Sequence, residues 1–140
     1  MRWAAGAAAA LLLTGCSSQG TDGDLVLFAA LRGDGGPGGY RAAAGELTAE
    51  RGFDALGLSG PAAVSGDPEL PELTADLRRF AFVLVGCRHD SARLRISDGV
   101  AAAELLEDGT TTSTACAVPV YFLAVFDVPA DTVPDGVLLG

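Results

Sequence analysis

The chain has 140 residues, a formal net charge of −9 and a sequence pI near 4.3. All of its basic residues are arginine, and they form neither a basic patch nor an aromatic-interleaved platform, so nucleic acid and anionic lipid headgroups are excluded as electrostatic partners. The acidity serves solubility, and the length leaves one domain's worth of chain once a leader is set aside.

Arg2 gives a positive start, and Trp3 to Leu13 is an apolar stretch rich in Ala and Leu. It is too short to span a bilayer as a helix. It ends in Leu13-Thr14-Gly15-Cys16, followed by Ser17-Ser18-Gln19-Gly20. This resembles the lipobox of bacterial lipoproteins, in which a branched apolar residue and two small residues precede the cysteine that becomes the new amino terminus. The resemblance implies cleavage after residue 15 and a diacylglyceryl group on the Cys16 sulfur. Two acyl chains hold such a protein stably at the outer face of the cytoplasmic membrane, at about 0.8 kcal/mol per buried methylene. An ordinary secretory peptide with Cys16 left as a thiol is the other reading of the same residues. The likeness covers only this segment and brings no activity with it.

Residues 16–23 read as a polar tether, and 24–140 as a single exported domain. Asp24 to Leu31 is the first expected strand. Gly33 to Gly39 is a glycine-rich loop. Tyr40 to Glu50 is either a short helix ended by Gly52 or a strand pair broken by Gly45 and Gly52, and both remain open. Gly57 to Pro71 carries three prolines and is a loop, and Thr74 to Arg79 leads on from it.

Phe80 to Cys87 is an unbroken apolar run of strand length, with Phe80, Phe82 and Leu84 on one face and Ala81, Val83, Val85 and Cys87 on the other. Apolar residues on both faces place it inside, covered on two sides. Arg88 to Ser91 is turn-like. Arg93-Leu94-Arg95-Ile96-Ser97 alternates strictly, and Asp98-Gly99 is a hairpin signal. Val100 to Leu106 contains good helix formers, but its shortness and the preceding turn favour strand. Glu107 to Thr114 is a polar loop. Val118 to Val128 is a second long apolar run, closed by Asp127 and Pro129, and Val137 to Leu139 is a possible last strand. The expected fold is a mainly β, small single-domain β-sandwich stapled by one disulfide, with at most one short helix.

Cys87 and Cys116 are the cysteines left once Cys16 is acylated, and an exported pair oxidises to a disulfide. Closing a loop of that size contributes about 3–4 kcal/mol in the chain-entropy description. A metal site on Cys87, His89 and Cys116 has neither a standard spacing nor an evident fourth ligand. His89, the single histidine, stands beside Asp90 and Ser91, which suggests hydrolase chemistry, but adjacent residues on a turn do not converge. Gly57-Leu58-Ser59-Gly60-Pro61 misses a nucleophile elbow at Pro61. A solvated turn histidine is the expected role.

Gly33-Asp34-Gly35-Gly36-Pro37-Gly38 matches a dinucleotide fingerprint literally, with Asp54 near the spacing of a ribose-binding acid, yet its context is plain loop composition. Asp22, Asp24, Asp127, Asp131 and Asp135 lack the spacing of a calcium loop and read as solvated acids. No catalytic, cofactor or metal residue is assigned. The functional expectation is a lipid-anchored binding or structural module whose membrane contact runs through Cys16, with an exported hydrolase using His89, or a metal- or small-ligand-binding envelope protein, as the alternatives.

Overall fold

Two long strands, each apolar on both faces, form the centre of the molecule. The structure, a computed structural model, describes residues 21–33, 38–58, 69–107 and 118–140. Among these residues the strands are β1 (Thr21–Asp22), β2 (Asp24–Ala30), β3 (Ala43–Leu47), β4 (Leu77–Gly86), β5 (Ser91–Ser97), β6 (Val100–Leu106), β7 (Val120–Pro129) and β8 (Leu138–Leu139). They make two four-stranded sheets, ordered β1-β5-β6-β8 and β2-β7-β4-β3. The fold is therefore mainly β, as the alternating segments imply. Every pair is antiparallel except β6 with β8.

The sheets face each other across a core of Phe80, Phe82, Ala124, Phe126 and Val128 from one and Ala92, Leu94, Ile96 and Ala101 from the other. Phe82 and Phe126 meet edge to face, with centroids 6.0 Å apart. Fully burying each such ring stabilises by about 1.5–3 kcal/mol. The opposite face of β4 and β7 carries Ala81, Val83, Leu123 and Val125. It is covered by Leu31, by Leu58 and by Leu56 of a 3-10 turn at Phe53–Leu56, with no third sheet among the described residues. Only Val85 escapes this cover, at 48% exposed. Such two-sided burial is why the run at Phe80 has no polar face.

β5 places Ala92, Leu94 and Ile96 inward and Arg93 and Arg95 in water. Asp98 and Gly99 then turn the chain with φ of 52° and 76°, and β6 returns as a strand, not a helix. The stretch left open between helix and strand resolves as β3 over Ala43–Leu47. It pairs with β4 from Ala43↔Val83 to Leu47↔Arg79.

The expected tether is shorter than residues 16–23. Thr21 and Asp22 already pair with Ile96 and Arg95 on β5, while Asp24 onward pairs with β7. The chain passes from one sheet to the other at Gly23. A Cβ there would stand 2.9 Å from Leu94 Cδ2 and 3.1 Å from Val128 Cγ2, so only a bare backbone fits between the sheets. The Leu13–Cys16 segment, Cys116, Ser59, the centre of the glycine loop (34–37) and residues 108–117 lie outside the described residues.

Candidate functional site

β7 continues through Asp127, which was expected to close its strand. Asp127 is opposite Arg79 on β4, and the two are 5% and 6% exposed. Their strand parity sets them on the outer face of the sheet, beside Ala81 and Val125. Arg79 Nε donates to Asp127 Oδ1 at 2.6 Å, and Nη2 donates to Oδ2 at 2.8 Å and to the Pro71 carbonyl at 2.6 Å. A bidentate, desolvated pair of this kind is geometrically well defined. It also accounts for a charge inside an otherwise apolar strand, because a buried charge needs a partner. Asp127 is thus a structural acid and not the solvated one expected.

Beside Arg79 opens a cavity of about 270 Å³, lined by Leu47, Thr48, Ala49, Arg51, Gly52, Phe53, Leu70, Leu73 and Arg79. Its walls come from the turn after β3 and from the segment leading into β4. Thr48 fixes the turn: its amide donates to the Arg51 carbonyl at 3.0 Å, and its Oγ1 accepts from the Arg51 amide at 3.1 Å. On the inner face Arg78 makes a separate bidentate pair with Glu46, at 2.9 and 2.8 Å, and lies over the Phe80 ring. The hydrogen bond from Arg78 holds the Glu46 carboxyl below its ordinary value of 4.5, against a smaller opposing effect of burial.

At the far end of the sheets stands His89. Its side chain is 13% exposed and packs edge-on against Phe122, with centroids 5.9 Å apart. The solvated role expected of it is therefore incorrect. The ring folds back over Gly86, where a Cβ would overlap the imidazole and stand 2.5 Å from Leu105 Cδ1. His89 Nδ1 accepts the Cys87 amide at 3.2 Å, which leaves the ring proton on Nε2, 3.6 Å from Glu107 Oε1. A general base needs a nitrogen open to the nucleophile's proton. Here one nitrogen is taken by backbone and the other faces a carboxylate, an arrangement that orders the turn.

Cys87 follows directly on β4 and is half-buried. Asp54 is exposed on the 3-10 turn, and Asp131 is exposed in a second such turn at Ala130–Thr132. Asp22 and Asp24 sit on different sheets. Among the described residues no group of three or more His, Cys, Asp or Glu side chains is placed to hold a metal ion. The described helical turns include none long and apolar enough to cross a membrane. No protein-family model, curated protein or solved structure matches the chain.

The Arg79–Asp127 pair and its cavity are absent from the sequence reading. Their signal was present, since Asp127 interrupts an apolar run and Arg79 abuts another. The cavity walls carry no periodicity and had no comparable signal.

Proposed function

We propose that the chain is a membrane-anchored bacterial lipoprotein whose β-rich domain is a non-enzymatic binding or structural module at the outer face of the cytoplasmic membrane. The observation that carries this is Leu13-Thr14-Gly15-Cys16, placed after a short apolar stretch and five residues ahead of Thr21, the first paired residue. Five residues reach about 18 Å at most, so an acylated Cys16 would hold the domain close to the bilayer. The engagement of both His89 nitrogens favours a module over a hydrolase. The cavity beside Arg79 favours binding over a purely structural role.

The Cys87–Cys116 disulfide belongs to the same proposal. Gly86 pairs with Val120, so Cys87 leaves β4 at the end where β7 begins. Cys116 precedes Val120 by four residues, which connectivity keeps within about 14 Å of it. Bridging needs the two Cα atoms within about 7 Å, well inside that reach.

Intact mass spectrometry of the protein from the membrane fraction of a bacterial host, with radiolabelled palmitate feeding, tests both parts. The expected species begins at Cys16, carries label, and is two hydrogens lighter than the dithiol. Cys16→Ala abolishes the label and releases the domain from the membrane. An uncleaved, unlabelled chain in the cytosol would overturn the anchor, and two alkylatable thiols at Cys87 and Cys116 would overturn the staple.

A further inference from the structure

Among the described residues, the charged lining of the cavity has one sign. Leu47, Phe53, Leu70 and Leu73 supply apolar walls, and the charged residues are Arg51 and Arg79, with no Asp or Glu among the described lining residues. Arg79 spends Nε and Nη2 on Asp127 and Pro71, and Nη1 with its two N–H groups takes part in none of these bonds. No side-chain nitrogen or oxygen sealed from solvent lacks a partner among the described residues, so Nη1, which makes none of the bonds above, is not sealed from solvent. Arg51 is exposed and its guanidinium makes no ion pair among the described residues. Glu46, whose carboxylate feels the Arg51 charge, is held by Arg78. Glu50 lies in the same turn but does not line the cavity.

We propose that this cavity binds a small amphipathic carboxylate, with the carboxylate received by Arg51 and Arg79 Nη1 and a short apolar tail between Leu47, Phe53, Leu70 and Leu73. Asp127 already neutralises Arg79, so Arg79 contributes N–H donors and Arg51 the unbalanced positive charge. A hydrogen bond from a charged donor to a charged acceptor is the stronger kind, which selects an anion over an alcohol of equal length. At about 270 Å³ the space is at the lower limit of small-molecule pockets, so the tail is short. The overall charge of −9 repels anions at long range, and Arg51 and Arg79 meeting in one cavity are a local departure from it. This binding does not depend on lipidation.

The test is an amide-resolved NMR titration of the full chain carrying Cys16→Ala, with hexanoate and hexanol as probes. Hexanoate is expected to give saturable shifts confined to residues 47–53, 70–73 and 79, and to bind about tenfold more tightly than hexanol. Arg51→Gln, at an exposed position, should erase that preference, bringing the two probes to equal affinity. Leu73→Trp should block both probes, and if it disturbs the fold the Arg51→Gln comparison decides alone. Non-saturating or scattered shifts would overturn the site. Hexanol matching hexanoate, or an unchanged preference in Arg51→Gln, would overturn the recognition of the carboxylate.

Discussion

Arg79 and Asp127 show how single residues set the stability of the outer face. Removing one member of a desolvated pair leaves the other charge buried without compensation, at a cost of about 3–5 kcal/mol. Asp127→Ala is expected to lower the unfolding free energy in urea by that amount, whereas Arg79→Met with Asp127→Leu should recover most of it. Equal losses in the single and double variants would show that packing matters here and charge does not. Glu46 behaves differently, being partly exposed. Its carboxyl pKa is lowered in the fold by Arg78, so the charged form is favoured by folding. The contribution is complete above the ordinary carboxyl value of 4.5 and is lost as pH falls through the lower folded value. Glu46→Gln should therefore cost up to about 1 kcal/mol at neutral pH and progressively less as pH falls below 4.5, read from urea unfolding across that range. A deficit that persists in acid would rule out the ion pair as its source.

At the scale of elements, β4 and β7 were legible as long apolar runs, β5 from its strict alternation, and β6 from its shortness and the Asp98-Gly99 turn before it. Phe80 and Phe82 against Ala81 and Val83 forecast two covered faces, and Leu94 and Ile96 forecast one. Ala43-Ala44-Gly45-Glu46-Leu47 carries no such period, and its residues favour helix or nothing. It becomes a strand because β4 offers an open edge, and Gly45 fits because Leu56 Cδ2 stands 3.3 Å from where a Cβ would project. The cavity was hidden for a related reason: its walls are irregular segments brought together only when the outer face of the sheet is covered. His89 looked like a turn residue because the turn was visible and the Phe122 ring beneath it was not. The passage at Gly23 was equally invisible, as a glycine in a polar stretch reads as linker. Gly23→Ala should push the sheets apart or displace β1, costing about 1–3 kcal/mol in thermal or urea unfolding. A neutral result would show that the strand relaxes there without disturbing Leu94.

Over the whole molecule, the described termini meet the sheets very differently. β1 and β2 are nearly one continuous strand that borders one sheet and then the other. β8 is two residues long and holds to β6 through bonds from the Leu138 amide to the Gly99 carbonyl and from the Gly140 amide to the Ala101 carbonyl. A lengthwise pull at the front of the chain therefore loads two ladders at once in shear, because their bonds lie across the strand direction. A pull at the back peels a short flap. With a second handle at exposed Arg88, at the opposite end of the sheets, single-molecule stretching should need more force from the front than from the back. Equal rupture forces would mean that Gly23 yields before load reaches β2. Under the proposed anchor at Cys16, this places the mechanical strength of the domain on the side where tension would arrive.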